Sequence, residues 1–294
     1  MHVILMHNPS AGSEEHSARD LVRAIERAGH TVIEHVTDGE SLSRALRSPC
    51  QLVAIAGGDG TVGRAAEALA GTGVPFTVLA LGTANNVART LRLDGPVEAR
   101  IAAWATDTVH EVDAATARQG GVDRLFFEAI GFGVFPELVL EADGTPAPDD
   151  PEEKLVRDLA LFREQVARLP LARYEVDADG DDLSGDYLMV EVMNIPLLGP
   201  RVSLASAASP SDGLLDLVLV GEAQREGLLR ALDRRRDGDD GRIELPGRKV
   251  ARVVIAGDWQ WQHHDGDLRN DRTSPLEAKV NPAALRALAP RPAT

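Results

Sequence analysis

Gly57-Gly58-Asp59-Gly60-Thr61 follows directly on the apolar run Leu52-Val53-Ala54-Ile55-Ala56. A buried strand that ends in a glycine turn and opens into a helix leaves backbone N–H groups where an anion can approach closely. Ala65 to Leu69 continues as that helix, and Gly71 stops it. Asp59 is the odd member, because a carboxylate repels phosphate. It fits such a loop as a partner for Mg²⁺, as an acceptor for a ribose or substrate hydroxyl, or as an Asx-type cap of its own turn. The spacing alone leaves these readings open.

Outward from this stretch the pattern recurs. Val3 to Met6 reads as a buried strand and ends at Asn8-Pro9-Ser10-Ala11-Gly12. Ser13 can cap a helix whose apolar face carries Leu21, Val22, Ile25 and Ala28, with Gly29 ending it. Thr31 to Val36 is a second strand, and Ser41 to Leu46 a short helix. Phe76 to Leu81 is a further strand, followed by Gly82-Thr83-Ala84-Asn85-Asn86 and a helix over Thr83 to Leu91. This alternation predicts an α/β domain with a mainly parallel sheet. The three turns then share the carboxyl edge of one sheet, where open α/β folds bind ligands. Thr61 and Thr83 add hydroxyl donors, and a polyphosphate is the expected guest.

The rhythm changes near residue 108. Val109–Ala117 and Leu125–Ile130 flank Gln119-Gly120-Gly121 and read as a hairpin, and Glu152 to Leu169 reads as a helix. Strand candidates then crowd together at Ala172–Ala178, Tyr187–Met193, Leu214–Val220, Val250–Ala256 and Trp259–His263. This half is expected to be antiparallel β, a sandwich or barrel. Glu141–Glu153 and Arg234–Gly241 read as solvated polar loops.

The chain has 294 residues, 44% of them hydrophobic, and a formal charge of −15 from 31 Lys+Arg against 46 Asp+Glu. An acidic balance argues against nucleic acid as a partner and against strong docking on anionic lipid headgroups. The single cysteine, Cys50, forms no intrachain disulfide and fits a reducing compartment. No transmembrane or signal segment is expected, so a cytoplasmic protein, peripheral at a membrane at most, is the expectation. Pairing of edge strands between two copies, giving a homodimer, is left open.

Three features invite over-reading. His263-His264-Asp265 suggests a metal cluster, but adjacent strand residues point to opposite faces. Trp259 and Trp261 lie on one strand face and suit a core better than a substrate wall. Leu197-Leu198-Gly199-Pro200 reads equally as an exposed apolar tip or as a buried turn.

Taken together, five landmarks carry a resemblance. The Gly57–Thr61 loop resembles the nucleotide loop of a superfamily that holds diacylglycerol, sphingosine and NAD kinases and phosphofructokinases. Asn8–Gly12 is similar to the Asn-Pro-x-x-Gly turn of the lipid kinases, and Leu81–Arg89 to their Leu-Gly-Thr-Ala-Asn-Asp-x-Ala-Arg segment. Ala208–Asp216 is similar to their Asp-Gly-x-Leu-Asp element, and His264-Asp265-Gly266-Asp267 to their late Asp-Gly-Glu. The match is to the soluble bacterial diacylglycerol kinase-like family.

The resemblance implies an N-terminal nucleotide-binding domain over residues 1–108, rejoined by 282–294, and a β-sandwich substrate domain over 109–281. It implies ATP and Mg²⁺ as cofactors and phosphoryl transfer to a hydroxyl of diacylglycerol or a related lipid, met transiently at a membrane surface. Nucleotide contacts carry over to Asn8, Pro9, Ser10, Ala11, Gly12, Thr37, Gly57, Gly58, Asp59, Gly60, Thr61, Arg64, Gly82, Thr83 and Asn85. An accessory Mg²⁺ maps to Asp212 with the carbonyls of Ser209 and Leu214. The general base is Asp265 or Asp267. Three changes, at four positions, depart from the family pattern: Gly63-Arg64 replaces Asn-Glu, Asn86 replaces Asp, and Asp267 replaces Glu, shortening its reach by roughly 1.5 Å. A catalytically weak nucleotide- or lipid-binding regulator and a soluble small-molecule kinase are the alternatives.

Overall fold

The structure is a computed structural model that describes residues 1–9, 16–236, 243, 245–270 and 275–291. The chain divides into two units, residues 1–112 with 283–294, and residues 113–282.

The first unit opens with β1 (His2–His7), α1 (Ala18–Arg27), β2 (Thr31–Val36), α2 (Gly39–Ala45) and β3 (Leu52–Gly57). It continues with α3 (Asp59–Leu69), β4 (Phe76–Ala80), α4 (Asn86–Thr90) and α5 (Val97–Ala103). The strands lie in the order β2-β1-β3-β4, every neighbouring pair parallel. The chain runs outward from β1 to β2 and then crosses to β3 on the other side. The switch point therefore falls between the carboxyl ends of β1 and β3, where such sheets bind ligands. β3 is buried along its whole length, as a strand covered on both faces must be. Leu21 and Ile25 of α1, with Ile101 and Trp104, close the core on one face.

Two helix starts differ from the sequence expectation. Helix α1 begins at Ala18, where the Ser17 side chain caps the N–H of Asp20; Ser13 lies outside the described residues. The helix expected from Thr83 begins only at Asn86, because Asn85 stands in the left-handed conformation at φ 54°.

The second unit contains β5 (Thr108–Gln119, which begins in the first unit), β6 (Val122–Phe126), β7 (Ala129–Gly133), α6 (Val134–Gly144) and α7 (Pro151–Arg168). Then come β8 (Ala172–Ala178), β9 (Asp181–Asp182), β10 (Gly185–Tyr187), β11 (Met189–Met193), β12 (Leu197–Leu198) and β13 (Val202–Ser203). The chain closes through β14 (Leu215–Val220), α8 (Glu222–Arg236), β15 (Gly247–Val250), β16 (Arg252–Gly257), β17 (Gln262–His264), β18 (Asp267–Arg269) and β19 (Leu276–Ala289). The end of β19 returns to pair with β4 in parallel, Ala287 beside Phe76.

One sheet of this unit runs β15-β14-β11-β7-β17-β18, with antiparallel neighbours. β10, β8, β16 and the first part of β19 form a second antiparallel layer. Phe132, Tyr174, Val190, Val192, Ile255 and Trp259 fill the space between the layers, which makes a sandwich. Phe135, Leu159, Phe162, Leu228 and Leu232 of α6, α7 and α8 cover the other face of the six-stranded sheet.

This helical layer is fuller than the sequence indicates. Helix α8 buries only Leu228, Ala231 and Leu232, an i, i+3, i+4 stripe too narrow to stand out among its charges. The strand expected over Val250–Ala256 is two strands in different layers. The break is at Ala251, where the Asp179 carboxylate accepts the N–H groups of Ala251 and Arg252, each at 2.9 Å. Trp259 is a core residue, its ring 4.2 Å from Phe132. Leu197-Leu198 forms a buried turn rather than an exposed tip: Leu198 pairs with Val202, and both sit in the helical core.

Candidate active site

Three strand-to-helix corners of the first unit converge. Asn8, just past β1, donates its backbone N–H to Ala56 O at 3.1 Å, and its Nδ2 lies 3.3 Å from Thr61 Oγ1. That ties the first corner to the second. Thr61 folds back over Gly57 so closely that a Cβ on Gly57 would lie 2.6 Å from Thr61 Oγ1. Gly57 O in turn accepts Leu81 N–H at 3.0 Å.

The second and third corners also meet glycine against glycine. A Cβ on Gly82 would lie 2.5 Å from Gly58 Cα, a distance no side chain tolerates. Gly58 also opens α3 with no side chain capping it. The Asn85 side chain closes the third corner on itself: Oδ1 accepts Gly82 N–H at 2.9 Å, and Nδ2 donates to Gly82 O at 2.7 Å. Together these contacts give a backbone-lined cradle at the switch point, with the first turn of an eleven-residue helix entering it.

Asp59 takes a role outside the three that its sequence context suggested. Its Oδ1 accepts the N–H of Val87 at 2.9 Å and so clasps the third corner to the second. Burial pushes this carboxyl above the ordinary carboxylate range, against the pull of the Val87, Asn86 and Asn85 amides. No sequence signal reveals a bond that spans 28 positions.

The other expected nucleotide contacts divide. Arg64 reaches back along α3, its Nη1 3.7 Å from where a Gly60 Cβ would stand, so a positive charge lies over the first turn. Thr37 is exposed beside Asp38, whose side chain caps α2. Thr83 is half-buried within the third corner, and Pro9 is exposed. Ser10, Ala11 and Gly12 lie outside the described residues.

In the second unit, Asp265 and Gly266 form the two-residue turn between β17 and β18, with φ of 48° and 85°. Positive φ at both positions marks the primed turn that an Asp-Gly pair favours. The Asp265 carboxylate points inward, where it accepts the amides of Phe127 at 2.8 Å, Glu128 at 2.7 Å and Ala129 at 3.1 Å. Burial pushes its pKa up to about 6 even against those three bonds. Asp267 stands one step beyond, exposed, its carboxylate with no hydrogen-bond or ion-pair partner among the described residues.

The residues mapped to an accessory cation form a different arrangement. Asp212 Oδ1 accepts Leu214 N–H at 3.0 Å, and its Oδ2 meets Lys249 Nζ at 2.7 Å. Lys249 also reaches Asp216 Oδ2 at 3.0 Å and Ala207 O at 3.1 Å. Ser209 Oγ shares a hydrogen bond with Ser211 Oγ at 3.2 Å. Both oxygens of Asp212 are thus engaged, and an ammonium already supplies the positive charge. This donor set does not fit a further divalent ion as it stands.

The diacylglycerol kinase catalytic domain family matches residues 2–117, and the YegS C-terminal NAD kinase beta sandwich-like domain family matches residues 139–289. A diacylglycerol kinase of Mycobacterium tuberculosis is 25% identical over 303 residues, covering 98% of this chain and 95% of that protein. A diacylglycerol kinase of Bacillus subtilis is 27% identical over 240 residues, covering 77% and 76%. Among solved structures, a diacylglycerol kinase from Bacillus anthracis superposes with a TM-score of 0.74 at 18% identity, covering 98% and 96%. An NAD kinase from Archaeoglobus fulgidus, in complex with ATP, superposes with a TM-score of 0.54 at 11% identity, covering 98% and 93%. With its two domain matches in sequence and a fold of the same kind, the chain belongs to the diacylglycerol kinase-like family of lipid kinases.

Proposed function

We propose that the protein transfers the γ-phosphoryl group of ATP to a hydroxyl of diacylglycerol or a related lipid. The observation that carries this reading is the contact of Gly58 with Gly82, which joins the corners after β3 and β4, beside the switch point of the parallel sheet, with no side chain in the way. Such a surface offers amides and a helix N-terminus to a polyphosphate. Arg64 adds a positive charge beside it.

In this reading Asp267 is the general base and Asp265 shapes the turn that carries it. Asp265 spends both carboxylate oxygens on three amides, whereas Asp267 is exposed and unpaired among the described residues. Transfer passes through a loose transition state, so the protein's contribution is placement and charge neutralisation. A positioned base accepting the hydroxyl proton contributes about 10²–10⁴ in rate. A Mg²⁺ ion carried by the nucleotide would add charge neutralisation at the phosphates, and Asp212, which Lys249 already neutralises, takes no part in holding it.

The test is transfer of label from γ-labelled ATP, with Mg²⁺, to a panel of lipids in mixed micelles, run beside Asp267→Asn. Label in a lipid product that disappears in the variant is the expected result. ATP binding without transfer to any acceptor would instead point to a nucleotide-binding regulator, and transfer only to water-soluble acceptors to a small-molecule kinase.

A further inference from the structure

The six-stranded sheet holds a buried acid–base pair for which the proposed reaction has no direct use. Glu191 on β11 and His263 on β17 flank the same residue of β7, Gly131, each in register with it. Strands one apart lie about 4.8 Å from each other, so these two side chains start about 10 Å apart. They nonetheless meet, with His263 Nε2 2.7 Å from Glu191 Oε2. Gly131 makes this possible, since a Cβ there would lie 1.9 Å from Glu191 Oε2 and 2.2 Å from its Cδ. Neither partner is exposed to solvent at all, and the Phe135 ring packs edge-on to His263 at 4.5 Å.

Stability alone does not account for the pair. A buried polar pair is commonly no better than apolar residues of the same volume, and here Glu191 Oε1 and His263 Nδ1 have no hydrogen-bond partner among the described residues. Its place in the sheet supplies a reason. His263 lies two residues before Asp265, whose carboxylate is bound by the amides leading into β7. His264 pairs with Ile130 and His263 with Gly131, so the two clasps sit on nearby rungs of one ladder. The first grips the β17–β18 turn from one end of β7, and the second reaches over β7 to anchor β17 on β11.

We propose that Glu191 and His263 are positioning residues that fix β17 across β7 and thereby hold the Asp265–Gly266–Asp267 turn in the geometry phosphoryl transfer needs. The role of that turn in transfer rests on the kinase reading above; the immobilisation of the turn does not. The experiment uses the full chain with Glu191→Gln, and with Glu191→Leu combined with His263→Leu, an apolar replacement that keeps the core filled. Both are expected to melt within a few degrees of the native protein and to keep KM for ATP within about twofold. kcat is expected to fall at least tenfold, a split that simple destabilisation does not give. Amide hydrogen exchange at Gly266 and Asp267 is expected to speed at least tenfold while exchange in β1 and β3 stays unchanged. Folded variants with native kcat and native exchange in the turn overturn the proposal. Altered exchange in a protein whose native form phosphorylates no lipid overturns the kinase reading and leaves the clasp standing.

Discussion

Asp59 Oδ1 accepts the backbone N–H of Val87 at 2.9 Å, and through that bond the helix after one glycine corner is held by the helix after another. The first consequence concerns stability. Asp59→Ala leaves the amide of buried Val87 without its acceptor and is expected to cost about 1–3 kcal/mol. Asp59→Asn retains an acceptor oxygen and is expected to recover most of that loss. Urea unfolding of the three proteins checks both statements.

The glycine contact gives a sharper outcome. In Gly82→Ala the new methyl meets Gly58 Cα at 2.5 Å, and backbone on both sides must move. A displacement of about 1 Å at a phosphate-positioning loop costs on the order of a hundredfold in turnover. Gly60→Ala is the control, because its new methyl has Arg64 Nη1 as nearest neighbour, at an ordinary 3.7 Å. ATP titration by calorimetry is expected to show strong weakening in Gly82→Ala and a far smaller effect in Gly60→Ala.

His264 sets a pH dependence. Burial holds its pKa down at about 3 from an ordinary 6.5, so the folded chain keeps it neutral while the unfolded chain protonates it. The unfolded state then binds the extra proton between those values, and stability is lost as pH falls from 6.5 toward 3. The loss reaches about 2 kcal/mol by pH 5. Asp265 acts in the opposite sense. Its raised pKa of about 6 makes the folded state the better proton binder, a contribution lost as pH rises from 3.8 through 6. Thermal melts of His264→Gln are therefore expected to show a smaller drop between pH 7 and pH 5 than those of the native protein.

Lys249 stands between Asp212 and Asp216, the latter only 5% exposed. Burial raises the Asp216 pKa, and Lys249 works against that shift. Lys249→Met is expected to destabilise the protein by about 1–2 kcal/mol, modest because the ammonium is partly in water. Millimolar Mg²⁺, absent any nucleotide, is expected to restore part of that loss in the variant and to leave the melting temperature of the native protein unchanged.

The strands and glycine corners of the first unit were legible in the sequence because each is a local event. Leu52–Ala56 is an unbroken apolar run, and Gly57-Gly58 must follow it wherever a helix turns in tightly. The break within Val250–Ala256 leaves no local mark, because it depends on Asp179, about seventy positions earlier, whose carboxylate caps Ala251 and Arg252. Helix α8 stayed hidden because three buried residues suffice once a sheet is present to receive them.

The candidate site divides along the same line. Which residues stand at the corners was legible along the chain, and the resemblance of His264–Asp267 to a family motif singled out its two carboxylates. Residue type and chain order are enough for that, since turns and caps are built from neighbours. Folding in three dimensions is what lays Gly82 on Gly58, turns Asp59 toward a helix rather than solvent, brings Lys249 to Asp212, and lets Glu191 reach His263 over Gly131. Each of these joins positions between 24 and 72 residues apart. What settles them is strand order and burial, which bring distant side chains together and remove the water that would otherwise satisfy them.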